Sequence, residues 1–287
     1  NYTVLTSSAA SDVYKRQIEH DHSEVDHTSF VGPLNKNESI TTSLVASSNL
    51  TETNALAGTY NVFAIPVESP NFGTRSLLVD PQNNIASPFG WHDTDGAPGA
   101  ESTLTTGNNV DAHKGGDRPD GGGSLNFDFP IDLNENPATN TPPYLTNLFY
   151  LNNIMHDVFY QYGFDEASGN FQENNYGNGG VGSDSVDANG QVGNVCNANF
   201  GTPPDGQNPT MNMYICNGHD GNLDGGVVMH EYGHGVDRRL VAGPSNVGCN
   251  NNTENMGEGI CDWLGMMVTN EPGDTGVDPR GLGTYLL

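Results

Sequence analysis

Positive charge is what this chain most lacks. Its 287 residues hold nine Lys and Arg against 35 Asp and Glu, a formal charge of −26 spread along the chain. Such a surface repels phosphate, so nucleic acid and anionic membrane faces are not expected partners. No apolar run reaches the ~20 residues of a membrane-spanning helix. The four cysteines, Cys196, Cys216, Cys249 and Cys261, include no C-x-x-C pair, which argues against a zinc ribbon or a thioredoxin motif. They allow three disulfide pairings, or none. Asn1 opens no charged-then-apolar leader, so no signal peptide is read there. What is abundant is glycine (37) and proline (17), the mark of many turns and long irregular connections. The length suits one large or two modest domains with ample core. The acidity suits a secreted protein in salty or extracellular surroundings and leaves room for structural Ca2+. A monomer is expected.

Against that background one segment is decisive. Val227-Val228-Met229-His230-Glu231-Tyr232-Gly233-His234 contains H-E-x-x-H. On a helix, residues four apart share a face with Cβ atoms about 5–6 Å apart, so His230 and His234 can grip one ion. Glu231 then faces the ion's open position. Two neutral nitrogens and a carboxylate beside them are the wiring of a zinc hydrolase. Two surface histidines on an ordinary helix would look the same in sequence. The apolar flank Val227–Met229 argues for burial instead, and buried polar groups of this kind need partners.

A zinc site needs a third protein ligand. The metzincin pattern asks for Gly at 237 and His at 240; Asp237 and Leu240 exclude it. No histidine follows His234. Glu254 and Glu258 are the next glutamates, and the residues from Met256 to about Thr269 read as a mostly apolar helix. Glu258 and Asp262 share one face of it. That spacing makes Glu258 the expected ligand and Asp262 the carboxylate that accepts a ligand histidine's other N–H. Glu254 lies in the polar loop before the helix.

Several separate segments resemble the fungalysin family of secreted zinc metalloproteases, particularly its bacterial members. They are Ala86–Asp93, Gly107–Val110, Gly163–Gln172, Asn197–Gly206, the run His230–Gly235 and Met256–Gly259. The likeness covers roughly Gly58 to the C-terminus. It implies an α+β, thermolysin-like zincin: an irregular β-rich N-terminal lobe, the HExxH helix, a Glu-ligand helix, and a C-terminal helical lobe largely missing from this sequence. It also implies one catalytic Zn2+, endopeptidase action on peptide or protein substrates, His230, His234 and Glu258 as ligands, and Glu231 as the base that takes a proton from zinc-activated water. Asn197 and Ala198 resemble the edge-strand segment on which such enzymes pair a substrate backbone. The family reads G-E-G-W-S-D where this chain has Gly257–Asp262. Ile260 and Cys261 are expected to bear on packing and not to touch the ligand set.

The rest of the chain is arranged around this motif. Residues 1–17 look like translated adapter sequence, 18–56 like the end of a zymogen's propeptide or a linker, and 57–287 like the metalloprotease domain, truncated at its C-terminus. Tyr60–Pro66 and Ser76–Val79 are strand candidates. Asn84–Pro143 offers few defensible strands. Apolar residues from Leu145 to Tyr162 recur at helical spacing behind Pro142-Pro143 and before Gly163; His156-Asp157 within them reads as structural. Met211, Met213 and Ile215 alternate as a half-buried strand. Asp220–Glu231 fits an EF-hand loop, but no helix is expected to enter it, and Asp224 reads better as the N-cap of the HExxH helix. Donors for the oxyanion are not found beside the motif, since Tyr285 is the only Tyr or His after Glu258. Two rival readings remain: a calcium-binding secreted module, which zinc-free metal analysis would favour, and a catalytically inactive zinc-binding relative.

Overall fold

The structure is a computed structural model and describes residues 58–249, 255–271, 273–277 and 279–287. The expectations for 1–17, for 18–56 and for Glu254 lie outside the described residues. The described chain is a mixed α+β unit with three α-helices and several sheets.

Two sheets flank a central helix. β1 (Thr59–Val62) pairs antiparallel with β2 (Ser76–Val79) and parallel with β4 (Asn126–Phe127). Alternation along β1 buries Tyr60 and Val62 and leaves the residues between them half-buried. The second sheet runs β3 (Val110–His113), β5 (Val186–Asn189), β7 (Thr210–Met213) and β6 (Ala198–Gly201), in that spatial order. Its first three strands are parallel, and β6 closes one edge antiparallel to β7. A short hairpin, β8 (Ile215–Cys216) and β9 (His219–Asp220), follows. The Cys196–Cys216 disulfide ties this hairpin to the residues just before β6.

α1 (Pro142–Tyr160) lies between these layers, buried on nearly every side. A helix buried all round carries apolar residues all round, yet this one also holds Asn147, Asn153, His156 and Asp157 at or near zero exposure. Each earns its place by holding a loop. Asn147 accepts from the Phe63 N–H at 2.8 Å and donates to the Asn222 carbonyl at 2.8 Å. Asp157 accepts from the Asn83 N–H, the Ser87 hydroxyl and the Trp91 indole at 2.7–2.9 Å. In this way the Gly- and Asn-rich run after residue 84 is ordered by side chains of α1 in addition to the short strands β3 and β4. Those strands, and β5, carry too few residues for their periodicity to stand out in sequence. His156 sits against Asp157 at 2.9 Å inside the core, a structural pair.

α2 (Gly225–Val241) carries the H-E-x-x-H run. The strand β9 and a single 3-10 turn lead into it, so no EF-hand is built. Asp224 caps it: one carboxylate oxygen accepts the Val227 N–H at 3.3 Å, the other the N–H groups of Tyr285 and Leu286 at 3.2 and 3.1 Å. Near the far end, Arg239 is fully buried. It pairs with Asp184 at 3.0 Å and Asp205 at 3.3 Å, donates to the carbonyls of Gly169 and Pro203, and stacks over Phe171.

α3 (Gly257–Val268) packs on α2, and not by its apolar stripe. Gly257, Cys261 and Gly265 form the buried face, while Met256, Trp263 and Met267 are more than half exposed. Leu264 and Val268 still pack against the core, but Trp263 and Met267 point outward because small residues are needed on the face toward α2. A Cβ on Gly233 would meet Cys261 at 3.2–3.3 Å, and one on Gly265 would meet the Gly226 carbonyl at 3.1 Å. Backbone-to-backbone contact of this kind brings the two helices closer than bulky ridges allow.

Candidate metal centre

That close crossing decides where the charged side chains meet. His230 and His234 project from successive turns of α2, their rings 4.8 Å apart and nearly perpendicular. Glu258 reaches across from the first turn of α3. One of its oxygens lies 3.3 Å from His230 Nε2, the other 3.8 Å from His234 Nε2. The three residues each offer a ligand atom within 4.8 Å of the others'. Asp262, one turn further along α3, accepts from His230 Nδ1 at 2.7 Å. This bond holds a proton on Nδ1 and turns Nε2, the nitrogen that would bind an ion, toward Glu258.

The electrostatics fit a cation at this point. Burial lowers the His230 pKa, but the carboxylates of Asp262 and Glu258 outweigh it and carry it up to about 10. The same carboxylates would hold a dication in place of that proton. Glu258 is held below the usual carboxylate range, chiefly by its bond to His230. Burial and the neighbouring His230 push His234 down to about 4, so its ring is a neutral nitrogen donor. Glu231 is 6% exposed, and its Oε2 has no hydrogen-bond partner among the described residues. Burial, reinforced by Glu258 and opposed by His230, raises it to about 7. An unpartnered buried carboxylate oxygen beside two nitrogens and a carboxylate suits a divalent, borderline-soft ion such as zinc with an open position.

Residues 59–287 match the family model described as Fungalysin metallopeptidase (M36). The chain belongs to that family. Among similar proteins is the "Extracellular metalloproteinase MEP" of Leptosphaeria maculans, 39% identical over 252 residues, which cover 81% of this chain and 39% of the relative. The "Extracellular metalloproteinase" of Pyrenophora tritici-repentis is 40% identical over 79% of this chain and 37% of its own length. "Extracellular metalloproteinase 5" of Trichophyton tonsurans is 40% identical over 75% and 38%. The chain thus spans about two-fifths of the relatives it matches. These three are fungal; the narrower likeness to bacterial members rests on the sequence segments alone.

Within this fungalysin chain the structure corrects one expectation. Cys261 does touch a candidate ligand: its Sγ lies 3.3 Å from His234 Nδ1. Helical spacing explains the contact, since Cys261 follows Glu258 by three residues and shares its face. The expectation treated the family difference at this position as packing alone and overlooked that face. Sequence reading also missed Gly233 and Gly265, whose role exists only in the crossing of two helices, and Arg239, whose acidic partners lie 34 and 55 residues away. Ala198 opens the edge strand β6, which packs beside α2, and Asn197 stands exposed just before it. Tyr285 stacks on His219 near the start of α2 and packs with Phe63, Tyr144 and Leu223. The other described acidic group, Asp93, Asp95 and Glu101, is mostly exposed, and no further observation ties an ion to it.

Asp262 gives a graded test of the site. Asp262→Ala should weaken zinc binding about 10–100-fold without abolishing it, as expected when a ligand histidine loses its orienting partner. Competition with a chromophoric chelator would measure it. Unchanged affinity would show that the 2.7 Å contact orients nothing of consequence.

Proposed function

We propose that this chain carries the zinc site of a secreted, thermolysin-like endopeptidase, acting on peptide or protein substrates. The observation that carries the reading is the convergence of His230 Nε2, His234 Nε2 and a Glu258 oxygen, with the unpartnered Glu231 Oε2 buried beside them. Zinc, when bound, supplies Lewis acidity and makes water a nucleophile at neutral pH.

The chain's own residues do the rest. His230, His234 and Glu258 hold the ion, and Asp262 keeps the His230 ring in the tautomer that can bind. Glu231 takes the proton of the attacking water and returns it to the leaving amine. Its pKa near 7 suits a group that must accept and then release a proton close to neutrality. β6 is the edge of its sheet and lies beside α2. A substrate strand adding to that edge, with Ala198 on β6 and Asn197 just before it, would run along the helix that bears Glu231. The acidic composition and the extracellular relatives support a secreted enzyme.

Metal removal tests this directly. The protein encoded by the full reading frame should digest an unfolded protein such as reduced casein, lose that activity to 1,10-phenanthroline, and regain it with added zinc. About one tightly held zinc per chain is expected. Cleavage that persists after complete zinc removal would overturn the reading, and calcium as the sole bound metal would favour a binding module.

A further inference from the structure

The two histidines of the site are not held alike. His230 leans on a carboxylate, whereas His234 Nδ1 faces the Cys261 sulfur at 3.3 Å. We propose that Cys261 is the positioning residue for His234, its thiol sulfur accepting the Nδ1–H so that Nε2 stays aimed at the ion. The inference rests on the metal-site reading above.

Three observations converge on it. First, Cys261 is fully buried, and its backbone presses on α2 at Gly233, the residue just before His234. With no side chain at 233, the sulfur can come down beside the imidazole. Second, Nδ1 and Nε2 lie at opposite ends of an imidazole ring. A sulfur on the Nδ1 side therefore cannot ligate the ion that Nε2 binds, so its part is orientation. Third, His234 Nδ1 has no other hydrogen-bond partner among the described residues, and the N–H of a ring that is mostly covered calls for an acceptor. Sulfur is a weak and neutral acceptor. The ligand pair is therefore asymmetric: Asp262 makes His230 the more basic nitrogen donor, and Cys261 fixes His234 without adding charge.

The test separates orientation from packing. Cys261→Ala should weaken zinc binding about 10-fold, while Cys261→Ser, which keeps an acceptor at the same place, should stay within about threefold of the parent. A packing role predicts that both variants weaken binding alike, since a buried serine hydroxyl replaces sulfur no better than a methyl group does. Proton–nitrogen correlation spectra of the zinc-loaded parent should show His234 protonated at Nδ1 and slowly exchanging; in Cys261→Ala that proton should exchange with water. His234→Ala is the control for the site itself: if it keeps zinc, the metal-site reading fails before Cys261 is judged. If His234→Ala loses zinc but Cys261→Ser binds as weakly as Cys261→Ala, the proposal is overturned. It is equally overturned if the zinc-loaded parent carries the His234 proton on Nε2, a result that needs no variant to fold.

Discussion

Glu231→Gln should retain zinc with the parent's affinity and lower turnover by about three orders of magnitude. Glutamine matches glutamate in shape, so the buried position in α2 is preserved. Glu231 Oε2 has no hydrogen-bond partner among the described residues, so the substitution breaks no hydrogen bond at that oxygen. What disappears is the carboxylate, and with it the capacity to take a proton. The charge it removes opposed Glu258 and favoured a protonated His230, so its loss leaves the ligand set in place. Two measurements on one sample decide the matter: zinc content after dialysis, and the initial rate of peptide hydrolysis. Should the variant shed zinc as readily as His234→Ala, Glu231 is a ligand and the division of roles proposed here is wrong.

Glu258→Ala is the second large effect. It should lower zinc affinity on the order of 10³-fold, because two neutral imidazoles leave the ion under-coordinated and without a compensating charge. Folding is not at issue in the same degree. Glu258 is only partly buried, and the α2–α3 contact is made by Gly257, Cys261 and Gly265. Glu254→Ala is the informative companion and should do little. Titrating both variants with zinc, beside the parent, gives the ranking. If Glu254→Ala proves the more damaging, the third ligand lies before α3.

How far the sequence reaches is clear element by element. α1 and α3 were legible because long runs of apolar residues at helical spacing, bounded by Pro142-Pro143 and Gly163 in the first case, leave little choice. α2 was legible from its motif and from Asp224, a capping residue whose chemistry is local. β1, β2 and β7 showed through their β-branched and alternating residues. β3, β4 and β5 did not, because a strand of two to four residues in a Gly- and Asn-rich run is defined by its neighbours.

The sequence by itself picked out the candidate donors. H-E-x-x-H and the Glu258–Asp262 spacing are relations within single helices, where residue number sets direction. Everything that crosses between elements was left to the tertiary structure: which pair of cysteines closes, which side of α3 turns inward, and what stands behind His234. Read alone, α3 offers a bulky apolar stripe and a row of small residues, and hydrophobicity favours burying the first. The fold fully buries the second and only part of the first, Leu264 and Val268, because small residues at Gly257, Cys261 and Gly265 let α3 approach α2 closely enough for Glu258 to reach both histidines. The same approach sets the Cys261 sulfur against His234: helical spacing puts Cys261 on the face of Glu258, but only the crossing of the two helices brings it to a residue 27 positions away.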